Sequence, residues 1–408
     1  MSEWKKVKLG DCCEITSSKR CHASERSKEG IPFYCSKEII LLENGEEVRD
    51  SDFIPVELYE SIKHKYDVPK PGDLLLTTRG TNGIPYIYKD KDCFYFADGN
   101  LSWFKNFQKE LSVRYLYYWF KSHIGKHSVD SIAKGTAQKA VPIDGLRNLD
   151  IELPPFTIQH RIATILSRYD SLIENYQKQI KLLEEAAQRL YKEWFVDLHF
   201  TGHENTKIVD GVPEGWEKKK IADVCDTIGG GTPSTKVSSY YEGGTISWVT
   251  PTDITKNNSL CLLSTEKKIT HEGLNHSSAK MLPKEAILMT SRASVGFFGI
   301  CDFEVCTNQG FISCVPFEND FQMYLLYNLI NRVEEIKIKA GGSTYLEISK
   351  SVFRNFDIIC PTQSVIKEFQ GKAHCLLERT RIIAKQIRLL TEARDRLLPK
   401  LMSGEIAV

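Results

Sequence analysis

The feature that most constrains this chain is that it repeats itself. Trp4-Lys5-Lys6-Val7-Lys8-Leu9-Gly10-Asp11 returns as Trp216-Glu217-Lys218-Lys219-Lys220-Ile221-Ala222-Asp223. Leu74-Leu75-Leu76-Thr77-Thr78-Arg79-Gly80 returns as Ile287-Leu288-Met289-Thr290-Ser291-Arg292-Ala293, and Arg147-Asn148-Leu149-Asp150-Ile151 as Arg354-Asn355-Phe356-Asp357-Ile358. Lys178-Gln179-Ile180-Lys181-Leu182-Leu183-Glu184-Glu185-Ala186 is answered by Lys385-Gln386-Ile387-Arg388-Leu389-Leu390-Thr391-Glu392-Ala393. Any one match could arise by chance. Several in the same order at a nearly constant spacing mean duplication.

Each copy has two parts. The first, residues 1–155 and again 216–361, carries short apolar runs broken by turn residues, which read as mixed helix and strand. The second part is a long helix, 156–200 and 362–408, with 201–215 as a linker. In the first copy Ile158, Ile162, Ile165, Tyr169, Leu172, Tyr176, Ile180, Leu183, Ala187, Leu190 and Trp194 recur at spacings of three and four. In the second, Ile383, Ile387, Leu390, Leu397 and Leu401 do the same, with Arg394 interrupting the seam. Such heptads predict helices that pack along one another. Pro154-Pro155 and Pro361 suit entry to these helices. Two helices of one chain, each following a globular domain, pair most simply antiparallel, which puts the domains at opposite ends of a rod about 57 Å long at 1.5 Å per residue. The expected class is α+β: two duplicated mixed domains separated by two long antiparallel coiled-coil helices.

Composition narrows the function. With 408 residues, 41% hydrophobic and 26% charged, the chain has material for two or three domains. No stretch approaches a membrane span, and the first residues lack the apolar run of a signal peptide, so a cytoplasmic location and no membrane partner are expected. A net charge of +1 argues against a basic coat but leaves room for one basic face. None of the twelve cysteines forms a Cys-x-x-Cys pair, so reduced, mostly buried thiols are expected rather than zinc ligands.

Catalytic signatures fail one by one. Gly229-Gly230-Gly231-Thr232-Pro233-Ser234-Thr235-Lys236 lacks the glycine before lysine of a phosphate loop, and Pro233 interrupts the junction to a helix. Leu153-Pro154-Pro155-Phe156 resembles the loop of amino-methylating DNA methyltransferases, but Leu153 cannot hydrogen-bond an amine. Asp253 with Glu266-Lys267-Lys268 fits a short nuclease pattern that random chains often contain, and Glu266-Lys267-Lys268 reads better as a solvated edge. The repeated segments share no histidine and no carboxylate pair suited to acid–base chemistry.

The repeat and its motifs resemble the specificity subunit of type I restriction-modification systems over almost the whole chain. The second copy carries the more specific text: Gly229 to Ser234, Gly243 to Ile254, Ile287 to Gly296, Asn308-Gln309-Gly310-Phe311 and Gly341-Gly342-Ser343-Thr344. The first copy departs from it, with Asp98-Gly99-Asn100 standing where the second has Asn308-Gln309-Gly310. The resemblance implies two target recognition domains that bind an asymmetric, two-part site on double-stranded DNA. It also implies no cofactor in this chain. S-adenosylmethionine belongs to modification subunits, two in number, and ATP with Mg to restriction and translocation subunits when they join. A duplicated scaffold that binds proteins alone is the alternative from another class.

DNA reading needs donors and acceptors on loops, beside basic residues for phosphates. Thr78-Arg79 and Ser291-Arg292 follow apolar strands, and the arginine common to both copies suits a shared phosphate or structural role. Lys134-Gly135-Thr136 with Gln138, and Gly342-Ser343-Thr344-Tyr345, are glycine-bearing polar loops in which Gln138 stands against Tyr345. Thr232, Ser234 and Lys236 form a further candidate loop.

Overall fold

A computed structural model describes residues 4–135, 139–342 and 346–408. The chain divides into two compact units, Met1–Glu174 with Leu390–Val408, and Asn175–Leu389. Each long helix therefore contributes its two ends to different units.

In the first unit, strand Lys5–Lys8 pairs antiparallel with Asp150–Leu153, which joins the start of the domain to its end. A four-stranded antiparallel sheet runs in the order Glu14–Thr16, Leu101–Lys105, Leu74–Thr77, Pro85–Ile87. A three-stranded sheet places Ile31–Tyr34 between Asp52–Ile54, antiparallel, and Tyr95–Phe96, parallel. Leu74, Leu75 and Leu76 are completely buried, which is why this run lacks polar alternation: both faces of the strand are covered.

The second unit repeats this strand for strand. Glu217–Lys220 pairs with Asp357–Cys360. The four-stranded sheet is Cys225–Gly229, Phe311–Pro316, Ile287–Thr290, Phe298–Ile300, and the three-stranded one is Lys267–Ile269, Ile246–Val249, Cys306–Thr307. The parallel pairing of two strands falls at the same place in both. Duplication read from sequence is thus duplication of topology and register.

The long helices span Phe156–Phe195 and Gln363–Met402, 40 residues each, or about 60 Å at 1.5 Å per residue. The first stops before the expected residue 200, where Leu198 and then Gly202 take positive φ. The second is followed by Gly404, whose φ of +73° suits the left-handed position after a helix terminus. Their antiparallel course is visible inside each unit. In the first, Arg394 near the end of the second helix bonds Asp170 in the first half of the other at 2.6 Å. In the second, Phe369 near the start of the second helix packs on Tyr191, Trp194 and Phe195 at the end of the first.

The first-helix seam differs from the expected one in its N-terminal half. Leu166 is completely buried and Ile173 is 8% exposed, whereas Leu172 is 40% exposed. Continuing the three-four alternation backwards from Ile180 gives Tyr176, Ile173, Tyr169, Leu166 and Ile162. Ile165-Leu166 and Leu172-Ile173 are adjacent apolar pairs, so composition alone offered either member.

Polar groups fasten each domain to its helix. Gln159, 1% exposed, accepts from the Ser112 N–H at 2.9 Å and donates to the carbonyls of Glu110 and Pro154 at 2.8 and 2.9 Å. Glu184 accepts from the Leu260 N–H at 2.8 Å and the Ser259 hydroxyl at 3.1 Å, and Lys385 pairs with Asp302 at 2.7 Å. Gln159 and Glu184 thus each find hydrogen-bond partners where they are drawn from water. No helix among the described residues is long and apolar enough to cross a membrane.

Candidate nucleic-acid interface

The near-miss motifs have structural jobs. The glycine run at 229–231 leads into a short turn, Ser238–Tyr240, and not into a helix that could cradle phosphate. Asp253 caps its own helix, accepting from the Thr250 N–H at 2.8 Å, and its other oxygen holds the Glu266 N–H at 2.8 Å. Lys267 and Lys268 are exposed on an edge strand, as a solvated edge requires. Nine of the cysteines are buried. Burial pushes the Cys13, Cys261, Cys301 and Cys306 thiols up to about 12, which keeps them protonated and inert.

The polar loops singled out from sequence converge. In the first unit, Lys134 and Ala140 exchange two backbone hydrogen bonds of 2.8 Å, closing the loop between them, and Ala140 also bridges to Arg79. In the second, Gly341 and Glu347 exchange bonds of 3.0 and 2.8 Å, and Glu347 bridges to Arg292. The shared arginine and the glycine loop are therefore neighbours in both copies. Gly135 and Gly342 have φ of +111° and +132°, a conformation only glycine adopts without strain, and this accounts for their recurrence. Thr136, Gln138, Ser343, Thr344 and Tyr345 lie outside the described residues.

Two expected contacts are corrected. Thr78 and Ser291 are each 3% exposed. Their backbones carry the junction, Thr78 N–H to Asn100 and Val141 N–H back to Thr78, and likewise Ser291 N–H to Gly310 and Ile348 N–H back to Ser291. The loops that close over these strand ends bury the hydroxyls, so neither side chain is available to a ligand. Thr77 and Thr290, fully buried, use their hydroxyls on the following turn, accepting from the Ile84 and Phe297 N–H groups at 2.9 Å.

Arg79 and Arg292 are both exposed, but their surroundings differ. Arg292 Nε lies 3.5 Å from Glu347. The matching position in the first unit is Ala140, and among the described residues Arg79 forms no ion pair. Lys134, Ser234 and Lys236 are exposed as well.

The third candidate loop joins the same surface. The Thr232 hydroxyl donates to the Gln309 carboxamide oxygen, and the next residue, Gly310, accepts from the Ser291 N–H at 2.8 Å, one residue before Arg292. In the second unit Thr232, Gln309, Arg292, Glu347 and Gly342 thus form one connected polar surface. Gln309 and Glu347 lie among these polar residues but were not singled out from sequence. For Gln309 a signal was present, since Asp98-Gly99-Asn100 against Asn308-Gln309-Gly310 is one of the stretches where the copies diverge.

The family described as type I restriction modification DNA specificity domain matches residues 1–185 and again 213–382. The chain belongs to this family. It is 29% identical over 352 residues to the MjaIX type I restriction enzyme specificity subunit of Methanocaldococcus jannaschii, covering 83% of this chain and 78% of that one. To the HindI specificity subunit of Haemophilus influenzae it is 24% identical with both chains fully covered. A crystal structure of a type I restriction-modification S subunit from M. genitalium shares the fold, with a TM-score of 0.60 at 16% identity, covering 98% of this chain and 96% of that one. As a type I specificity subunit the chain serves DNA sequence specificity, a non-catalytic role. The duplicated α+β domains with long helices are the architecture of that family.

Proposed function

We propose that this chain recognises a bipartite, asymmetric site on double-stranded DNA and directs adenine methylation by partner subunits, with restriction where a restriction subunit joins. The observation that carries this reading is two copies of one backbone bearing different exposed side chains at matching positions. Two readers of one shape and unlike chemistry call for two unlike half-sites. Arg79, Arg292, Lys134 and Lys236 supply positive charge for phosphates, while the hydroxyl and carboxamide groups beside them offer the donors and acceptors that base edges require. Two copies of the helical scaffold suit two modification subunits. S-adenosylmethionine is assigned to those subunits, and ATP with Mg to a restriction subunit.

The test is co-expression with the cognate modification subunit in a host lacking other adenine methylation, followed by genome-wide mapping. One two-part motif with unlike halves is expected, and none when either subunit is expressed alone. Methylation by this chain alone, or motif methylation without it, would overturn the proposal.

A further inference from the structure

We propose that one position in each unit reads a base: Gln309 in the second unit, for adenine, and Arg20 in the first, for guanine. The assignment rests on the reading above, that the two units read DNA.

The sheet registers set the correspondence. Phe104 opposes Leu74 and Ile15, as Cys314 opposes Ile287 and Thr227. Ile15 therefore matches Thr227, and five residues on, Arg20 matches Thr232. Across from this loop, Phe96 pairs with Tyr34 as Thr307 pairs with Val249. Asn100 and Gly310 match because each accepts, at 2.8 Å, from the residue before the shared arginine. Between these fixed points the first unit has Ala97, Asp98 and Gly99, and the second Asn308 and Gln309. Asp98 and Gln309 thus occupy the same turn.

The two loops meet in the same way in both units with different chemistry. Arg20 Nε lies 3.8 Å from Asp98; the Thr232 hydroxyl donates to Gln309. The platform beneath is closely packed. A Cβ on Gly230 would fall 2.1 Å from the Asn308 carbonyl oxygen, so this loop lies directly on the turn's backbone. The Gly231 N–H donates to the Thr307 carbonyl at 2.9 Å. In the first unit the Ser18 hydroxyl donates to the Phe96 carbonyl at 2.7 Å, and the Lys19 N–H to the Tyr95 hydroxyl at 2.7 Å. Above this platform Arg20, Thr232 and Gln309 are exposed, Arg20 to 69%, and Asp98 is half-buried. Conserving a scaffold while varying its exposed tip is what half-sites of different sequence demand.

Chemistry then assigns the bases. A carboxamide oxygen has two lone pairs. With one held by Thr232, the other accepts from adenine N6 while the amide N–H donates to N7, the paired contact by which glutamine selects adenine. With Arg20 Nε nearest Asp98 and the side chain largely exposed, its terminal nitrogens remain to donate to guanine O6 and N7. Arg79 and Arg292, one hydrogen-bonded junction away, stand where a phosphate anchor would fix the register of each reader.

The experiment uses the full chain with its modification subunit and S-adenosylmethionine, on DNA libraries randomised in both half-sites. Gln309→Ala should relax one adenine position by roughly 5- to 150-fold while the other half-site stays fully specified. Arg20→Ala should relax one guanine position in the opposite half. Thr232→Val, which keeps the shape and removes the orienting hydroxyl, should weaken selection at the Gln309 position alone. The intact half-site in each variant shows that the chain is folded. A wild-type motif kept by both alanine variants would overturn the assignment while leaving the reading of the units in place. A wild-type complex with no sequence preference would remove that reading and this assignment together.

Discussion

Arg394 of the second long helix donates to one oxygen of Asp170 at 2.6 Å, and the other oxygen of Asp170 accepts from the Tyr118 hydroxyl at 2.6 Å. A guanidinium that interrupts an apolar seam in the sequence is thus paired within it. One carboxylate ties the two helices and the first recognition domain together. The Arg394 and Asp170 side chains are only 20% and 26% exposed, so solvent screens the pair weakly. A polar pair set in a helical seam favours the register that aligns it, which is the best-attested use of such pairs.

Asp170→Ala strands the Tyr118 hydroxyl and leaves Arg394 with Asp395 alone. The expected loss of stability is about 1.5–3 kcal/mol, the range for hydrogen bonds to charged groups. Asp170→Asn, which can still accept from Tyr118, should cost less. A double-mutant cycle with Arg394→Met, followed by urea unfolding, measures the coupling. Additivity within about 0.5 kcal/mol would show that the pair contributes nothing of its own.

The seam yields a second expectation. Leu166→Ala and Ile173→Ala open cavities at buried positions and should each cost about 2–5 kcal/mol. Leu172→Ala, at a position 40% exposed, should cost far less, within about 1 kcal/mol. Equal losses at Leu172 and Ile173 would restore the seam first expected from sequence.

Much of the fold was legible because duplication exposes it. Leu74-Leu75-Leu76 and Ile287-Leu288-Met289 announced a central buried strand twice, and the helical heptads announced themselves over several turns. The choice between Leu172 and Ile173 was hidden because both are apolar and neighbouring. Thr78 and Ser291 were misplaced for a related reason. A hydroxyl beside an exposed arginine reads as surface, and only the closing loops at 97–100 and 140–141, and their counterparts, show that the strand end is covered. Gln309 and Arg20 were invisible as partners of their loops because the contacts join residues about 80 positions apart.

Glu184 adds a pH dependence. Burial raises its carboxyl above the usual range, while the bonds from Leu260 and Ser259 pull it back down in part. A carboxyl whose folded pKa is raised binds its proton more tightly in the native state than in the unfolded chain. Stability from this group is therefore present at low pH and falls as pH rises from the ordinary glutamate pKa through the raised one. Glu184→Gln keeps a carbonyl oxygen for Leu260 and Ser259 and removes the ionisation. It should flatten the unfolding free energy across that window and be no less stable than wild type at pH 7. Glu184→Ala, which orphans the Leu260 N–H, should lose about 1–3 kcal/mol. Chemical denaturation of the three proteins from pH 4 to 8 checks both. A wild-type profile unchanged in Glu184→Gln would show that this carboxyl does not titrate there.

The shared arginines give the last expectation, and it follows from their different neighbours. If Arg79 and Arg292 both hold phosphates, removing either should weaken binding across all sequences and lower the salt slope by about 0.9. Arg292 must first leave Glu347, 3.5 Å away, whereas Arg79 faces Ala140 and has no such competitor among the described residues. Arg79→Ala should therefore cost more affinity than Arg292→Ala. Glu347→Ala should tighten binding by freeing Arg292, and the gain should vanish when Arg292 is already alanine. That dependence separates release of one arginine from the general benefit of removing a negative charge near DNA, which would persist in the double variant. The measurement is DNA affinity of the assembled complex at several salt concentrations for wild type, the single variants and the Arg292–Glu347 pair. A gain from Glu347→Ala that survives without Arg292 would show that this arginine serves its own domain and not the phosphate backbone.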